Sequence, residues 1–320
     1  MLAGIRLAPY GETLGRHLHI GQGWIGLIFL ATLTSIPEMT TTITGASIGA
    51  PNIALGNALG SNLFNVAIVA FMDILLLAQR RGIALLGKVQ RYHVISGFVA
   101  IGMTGLAIIG VVVQPKASWL GISPISVLIF VVYVIGVILL LHAENVAESS
   151  DDTEQSDLPL WKAAVGFLVC GAVIVVSGIF LIRSSKVIAD TSGLSSSLMG
   201  AVLVAIVTSL PELAASIGAL RIRAYDMIIG NLFGSNMFNI LTIFFADVAF
   251  RGGAIYSGLG TGATDQLIVA VGGVLLTLTA IVAILVRLRR RASGPGIDSL
   301  LLLAGYLGLA AVIIGRGIQL

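Results

Sequence analysis

Two decapeptides constrain this chain more than anything else in it. Gly56–Asn65 reads GNALGSNLFN, and Gly230–Asn239 reads GNLFGSNMFN, 174 residues further on. The alignment runs without a gap from Thr32–Asp73 onto Ile206–Asp247, with 16 of 42 positions identical. It pairs TSIPE at 34–38 with TSLPE at 208–212, and Asp73 with Asp247. The chain is an internal duplication. Its surroundings are apolar: 57% of residues are hydrophobic, 10% are charged and the mean hydropathy is +1.03. A soluble domain carries roughly a quarter charged residues, so the duplicated unit belongs to an all-α polytopic membrane protein.

About 20 apolar residues cross the hydrocarbon core as a helix. Nine such segments follow, to within a few residues: A 22–45, B 52–78, C 94–113, D 121–142, E 161–183, F 194–219, G 226–249, H 264–287 and I 297–317. The longest hydrophilic break, AENVAESSDDTEQSDLP, separates D from E. It divides the chain into a first repeat (1–142), an acidic linker (143–160) and a second repeat (161–320). With residues 1–21 on the inside, inside segments hold 13 of the 18 Lys and Arg residues, including Arg80, Arg81, Lys88, Arg91 and Arg287. Outside segments hold five: Lys116, Arg183, Lys186, Arg251 and Arg316. The bias places the linker in the cytoplasm.

Five spans separate A from F, so equivalent helices start on opposite faces and the repeats are inverted. Inverted repeats are the architecture of many secondary transporters, with the substrate at mid-depth between the repeats. B pairs with G, C with H and D with I, which leaves E without a mate. Residues 1–21 are too polar and too short to serve as a span, so the expectation is a first helix that is missing, through a truncated or misassigned start.

Of the 15 acidic residues, six lie in the linker and only Glu38 and Glu212 fall deep within spans. They are repeat mates. A carboxylate at that depth costs a few kcal/mol unless paired, and no Lys or Arg lies deep in any span. A cation is the natural partner, and protonation is the other solution. Thr34 and Thr208 share a helical face with the glutamates at i−4. Pro37 and Pro211 remove a backbone donor and free a carbonyl one turn back. Ser61 and Asn65 are four apart, as are Ser235 and Asn239. These oxygens suit hard cations such as calcium or sodium, not zinc or copper. Asp73 and Asp247, near Arg80 and Arg251, read as interfacial anchors. The four histidines lie near membrane edges and read as polar anchors too.

Together, TSIPE with GNALGSNLFN and TSLPE with GNLFGSNMFN resemble the two alpha repeats of the calcium/cation antiporter superfamily, the sodium/calcium exchanger type. The resemblance covers essentially the whole chain. It implies a metal site formed by Glu38, Glu212, Thr34, Ser35, Ser61, Asn65, Thr208, Ser209, Ser235 and Asn239. It also implies exchange of calcium for sodium or protons by alternating access, in the plasma membrane of a prokaryote. Two departures stand out. The family usually has ten spans, the first being a mobile gating helix, and some members carry Asp where this chain has Asn65 or Asn239. Two carboxylates neutralise one calcium, two sodium ions or two protons.

Other classes fit less well. A cation channel would arrange carboxylates around a continuous pore rather than in discrete clusters on inverted repeats. An intramembrane enzyme would need a deep base beside Ser61 or Ser235, and no His or Lys is there. No cofactor is expected, since the ions are cargo. The partners expected are calcium and sodium ions and membrane lipid, with no obligatory protein partner. A net charge of +3, spread over short loops, is no nucleic-acid footprint. The lone Cys170 excludes an intrachain disulfide.

Overall fold

The computed structural model of the chain describes residues 2–18, 20–79, 84–115, 121–147, 158–192, 198–290 and 296–318. The first repeat comprises α1 (Leu2–Leu18), α2 (Gln22–Thr34), α3 (Ile36–Ser47), α4 (Pro51–Gln79), α5 (His93–Val113) and α6 (Pro124–Ala147). The second comprises α7 (Leu160–Ser192), α8 (Gly200–Thr208), α9 (Leu210–Arg221), α10 (Tyr225–Ala249), α11 (Ala263–Arg290) and α12 (Ile297–Ile318). Among the described residues, seven helices are long and apolar enough to span a membrane. Two bent pairs, α2–α3 and α8–α9, bring the number to nine. That matches segments A to I.

The segment read as too polar and too short for a span is helical, but it is not among the helices long and apolar enough to cross a membrane. Residues 2–18 form α1, which packs against α7 and α9. Its buried face is Gly4, Leu7, Ala8, Gly11, Leu14 and Gly15. Its mean hydropathy is low because its polar residues collect on the other face and Pro9 and three glycines dilute the apolar count. The glycines are contact points: a Cβ on Gly4 would lie 2.5 Å from the Cβ of Ala214. On the α7 side, a Cβ on Gly166 would lie 2.5 Å from the Tyr10 ring.

The bends have a local cause. Pro37 and Pro211 lie in the first turn of α3 and α9, where a missing N–H costs nothing, but each forbids a continuous helix through the preceding turn. The chain breaks at Ser35 (φ −91°, ψ 6°) and Ser209 (φ −86°, ψ 7°), with bends of 43° and 42°. Upstream, Ile25–Leu30 and Met199–Val204 each widen into a π-helical turn at equivalent positions. Such turns collect at functional sites because they re-aim side chains.

Helices α4 and α10 form the centre. Of their most apolar stretches 67% and 83% is buried, against 22% for α6 and 17% for α12, which face lipid. Close approach is possible because the decapeptide glycines lie against backbone. A Cβ on Gly56 would stand 3.0 Å from Ala201 N, and one on Gly230 would stand 2.5 Å from Gly23 O. Gly60 and Gly234 leave no room at all beside Ala201 and Leu27. Two apolar clusters cover the two ends of this core. One takes α4 from Leu63 onward and α10 up to Phe233; the other takes α4 up to Leu59 and α10 from Met237 onward. The seam between them falls on Gly60–Asn62 and Gly234–Asn236, at mid-depth.

Candidate ion-binding site

The broken helices bring the two repeats together crosswise. Ser35, at the first break, donates its hydroxyl to Glu212 Oε1 at 2.8 Å. Ser209, at the second break, donates to Glu38 Oε1 at 2.9 Å. Ser235 adds a longer bond to Glu212 Oε1 at 3.3 Å. Both carboxylates are fully buried, and the second oxygen of each, Glu38 Oε2 and Glu212 Oε2, has no hydrogen-bond partner.

Thr34 and Thr208 flank this centre. Each hydroxyl lies near a carbonyl in the preceding turn, Leu30 O at 2.9 Å and Ala205 O at 3.3 Å. Each also reaches across to an asparagine of the other repeat: Thr34 to Asn231 Oδ1 at 3.3 Å, and Thr208 to Asn57 Oδ1 at 3.2 Å. Ser61, Asn65 and Asn239 are fully buried on α4 and α10. Ser61 Oγ, Asn65 Oδ1 and Asn239 Oδ1 have no hydrogen-bond partner.

An orphaned buried oxygen is costly, and most buried polar groups in folded proteins are paired. Here five unpaired oxygens belong to the same ten residues that the sequence singles out. They are all acceptors, which is what a hard cation needs. Among the described residues there is no group of three or more His, Cys, Asp and Glu that could hold a metal.

Sequence reasoning missed four residues. Asn57 donates to Glu38 O at 3.1 Å and to Thr42 Oγ1 at 3.0 Å, tying α4 to the turn that carries Glu38. Asn231 is its repeat mate. Asn62 donates to Asn236 O at 3.1 Å, and Asn65 donates to Asn236 Oδ1 at 3.0 Å. All four lie inside the duplicated decapeptides, so their identity at the repeat spacing was the available signal. Pairing Ser with Asn only at i, i+4 passed over them.

The outlying aspartates behave differently from expectation. Asp73 and Asp247 are buried and pin loops, rather than standing exposed at an interface. Asp247 accepts from Ser123 N and Ile255 N, both at 2.7 Å. Asp73 accepts from Leu86 N at 3.2 Å and Ser299 Oγ at 2.5 Å, with Arg287 3.8 Å away. Each therefore ties its own helix to the start of the last helix of the other repeat. Arg251 is exposed, and Arg80 lies outside the described residues. Of the histidines, His17 bonds Leu158 O at 2.8 Å, His93 bonds Asp226 at 3.0 Å and His142 bonds Ile138 O at 2.8 Å. His19 and most of the linker fall outside the described residues.

Inverted helical repeats, a broken helix in each, and acceptor oxygens from both meeting at mid-depth define a secondary transporter of cations. Comparison with known proteins agrees. The sequence profile of the family described as "Sodium/calcium exchanger protein" matches residues 3–140 and 162–315, and the chain belongs to that family of antiporters, not to a family of enzymes. A putative antiporter, CaxA of Alkalimonas amylolytica, is 31% identical over 242 residues, covering 73% of this chain and 72% of that one. The sodium/calcium exchanger MaX1 of Methanosarcina acetivorans is 26% identical over 262 residues, covering 72% and 74%. Among solved structures, the sodium-calcium exchanger NCX_Mj soaked with Na+ and Sr2+ superposes with a TM-score of 0.70 at 22% identity, covering 97% of this chain and 93% of that one. This likeness establishes the fold.

Proposed function

We propose that this chain exchanges calcium for sodium across the membrane by alternating access. Calcium is held at mid-depth by Glu38 and Glu212, with neutral oxygens from Thr34, Ser35, Ser61, Asn65, Thr208, Ser209, Ser235 and Asn239. The observation that carries the reading is the crosswise pair: each glutamate is held by the broken-helix serine of the opposite repeat while its second oxygen stays unpartnered. A carboxylate buried in that way is stable only with a cation or a proton on it. Two carboxylates balance one calcium or two monovalent ions, so calcium and its exchange partners compete for the same oxygens. The acidic linker lies in the cytoplasm, on the face that carries most of the basic residues.

Reconstitution into proteoliposomes tests this. Calcium uptake is measured against an outward sodium gradient, an outward proton gradient and no gradient. Uptake driven by sodium alone supports the proposal. Uptake driven by protons alone transfers the coupling to protons and keeps the calcium site. Calcium entry with no counter-ion, following the calcium gradient, identifies a channel and defeats the antiport reading.

A further inference from the structure

An amide is a two-ended ligand. Its oxygen can bind a cation, whereas its NH2 points two partly positive hydrogens at it. Ligand positions 65 and 239 are both asparagine in this chain, so each side chain must be turned the right way round before it helps. A carboxylate at the same place has no wrong end.

Asn65 is turned the right way. Its Nδ2 donates to Asn236 Oδ1 at 3.0 Å, and its Oδ1 is left buried without a partner. Asn236 is itself held against α4, since its backbone carbonyl accepts from Asn62 Nδ2 at 3.1 Å. The inverted duplication maps Asn65 onto Asn239 and Asn236 onto Asn62. The equivalent bond would run from Asn239 Nδ2 to Asn62 Oδ1. That bond is not formed, and both atoms that would make it are buried and unpartnered. Asn239 Oδ1 is unpartnered as well, so nothing fixes which end of this amide faces inward.

The same inequality extends outward along the repeats. Asn57 bonds both Glu38 O and Thr42 Oγ1, whereas its mate Asn231 has an unpartnered Nδ2 and Ser216, the mate of Thr42, an unpartnered hydroxyl. Helix α3 lies along α10, while its counterpart α9 packs chiefly against α1. The two glutamate–serine bonds are both formed, but the amides of the two half-sites are held unequally.

We propose that Asn236 and Asn62 are positioning residues that act reciprocally: Asn236 turns the Asn65 oxygen toward the cation, and Asn62 does the same for Asn239 when the equivalent bond forms. This rests on the calcium-site reading above and names what orients its two neutral amide ligands. Neither positioning residue contacts the ion.

A double-mutant cycle separates orientation from packing. Calcium chloride is titrated calorimetrically into purified protein in sodium-free detergent buffer. Asn236→Ala weakens calcium about tenfold in the parent, the loss of one oriented ligand, but less than about threefold in an Asn65→Asp background, where no orientation is needed. Asn62→Ala behaves the same way against Asn239→Asp, and this second cycle decides the matter if Asn236→Ala fails to fold. Equal losses in both backgrounds mean a packing role and overturn the proposal. Glu212→Gln is titrated alongside: if it binds calcium like the parent, the site reading itself has failed, whereas its loss of calcium combined with an uncoupled cycle defeats the positioning role alone.

Discussion

Replacing Glu212 with Gln is the sharpest test of the site. The change keeps shape and keeps an oxygen, but it removes one of the two charges in the centre. Glu212 is fully buried, accepts from Ser35 at 2.8 Å and Ser235 at 3.3 Å, and has one oxygen free. A calcium ion about 2.4 Å from that oxygen gains roughly 14 kcal/mol from a unit charge at an effective dielectric of about 20. Most of that is offset by the cost of dehydrating the carboxylate, and the amide oxygen still ligates. A net loss of about 3–5 kcal/mol remains, the usual cost of breaking a buried ion pair. This corresponds to roughly two to three and a half orders of magnitude in calcium affinity. The ion-free protein should move the other way. An isolated buried charge has been removed, so its melting temperature in calcium- and sodium-free detergent should equal or exceed that of the parent. Calorimetric calcium titration and thermal melting read the two effects separately, and Glu38→Gln should repeat both. Calcium affinity within threefold of the parent in either variant would refute the reasoning, because no buried site can lose half its countercharge so cheaply.

Three further outcomes follow from named contacts. Asn65→Ala and Asn239→Ala each remove a neutral ligand and should weaken calcium by only about tenfold, far less than the glutamate variants, in the same titration. Gly60→Val drives side-chain carbons into the Ala201 backbone and should destabilise the protein by about 2–3 kcal/mol, read as a lower melting temperature in detergent. Asp247→Ala leaves Ser123 N and Ile255 N without their acceptor and should cost about 2–4 kcal/mol. Faster hydrogen exchange at those two amides checks it, and unchanged exchange would mean that the carboxylate does not pin the loops.

Much of this protein could be read from the chain alone, because the bilayer leaves few solutions. Apolar segments of the right length must be helices when no water can satisfy their backbone, and a duplication across an odd number of spans must be inverted. The same economy exposes Glu38 and Glu212, since a deep carboxylate has no structural excuse. Proline at 37 and 211 even marks where the helices break. What the sequence could not supply was anything that depends on which surfaces meet. Helix α1 is polar by composition and becomes a packed element only because its small residues fit α7 and α9. Asp73 and Asp247 look like interfacial residues until the loops that they hold are seen to fold back over them. The orienting asparagines, and the inequality between the two half-sites, exist only in three dimensions. Two near-identical sequence motifs carry no record of how their amides are held: that is decided by side chains from opposite repeats competing for a few hydrogen-bonding partners in a space without water.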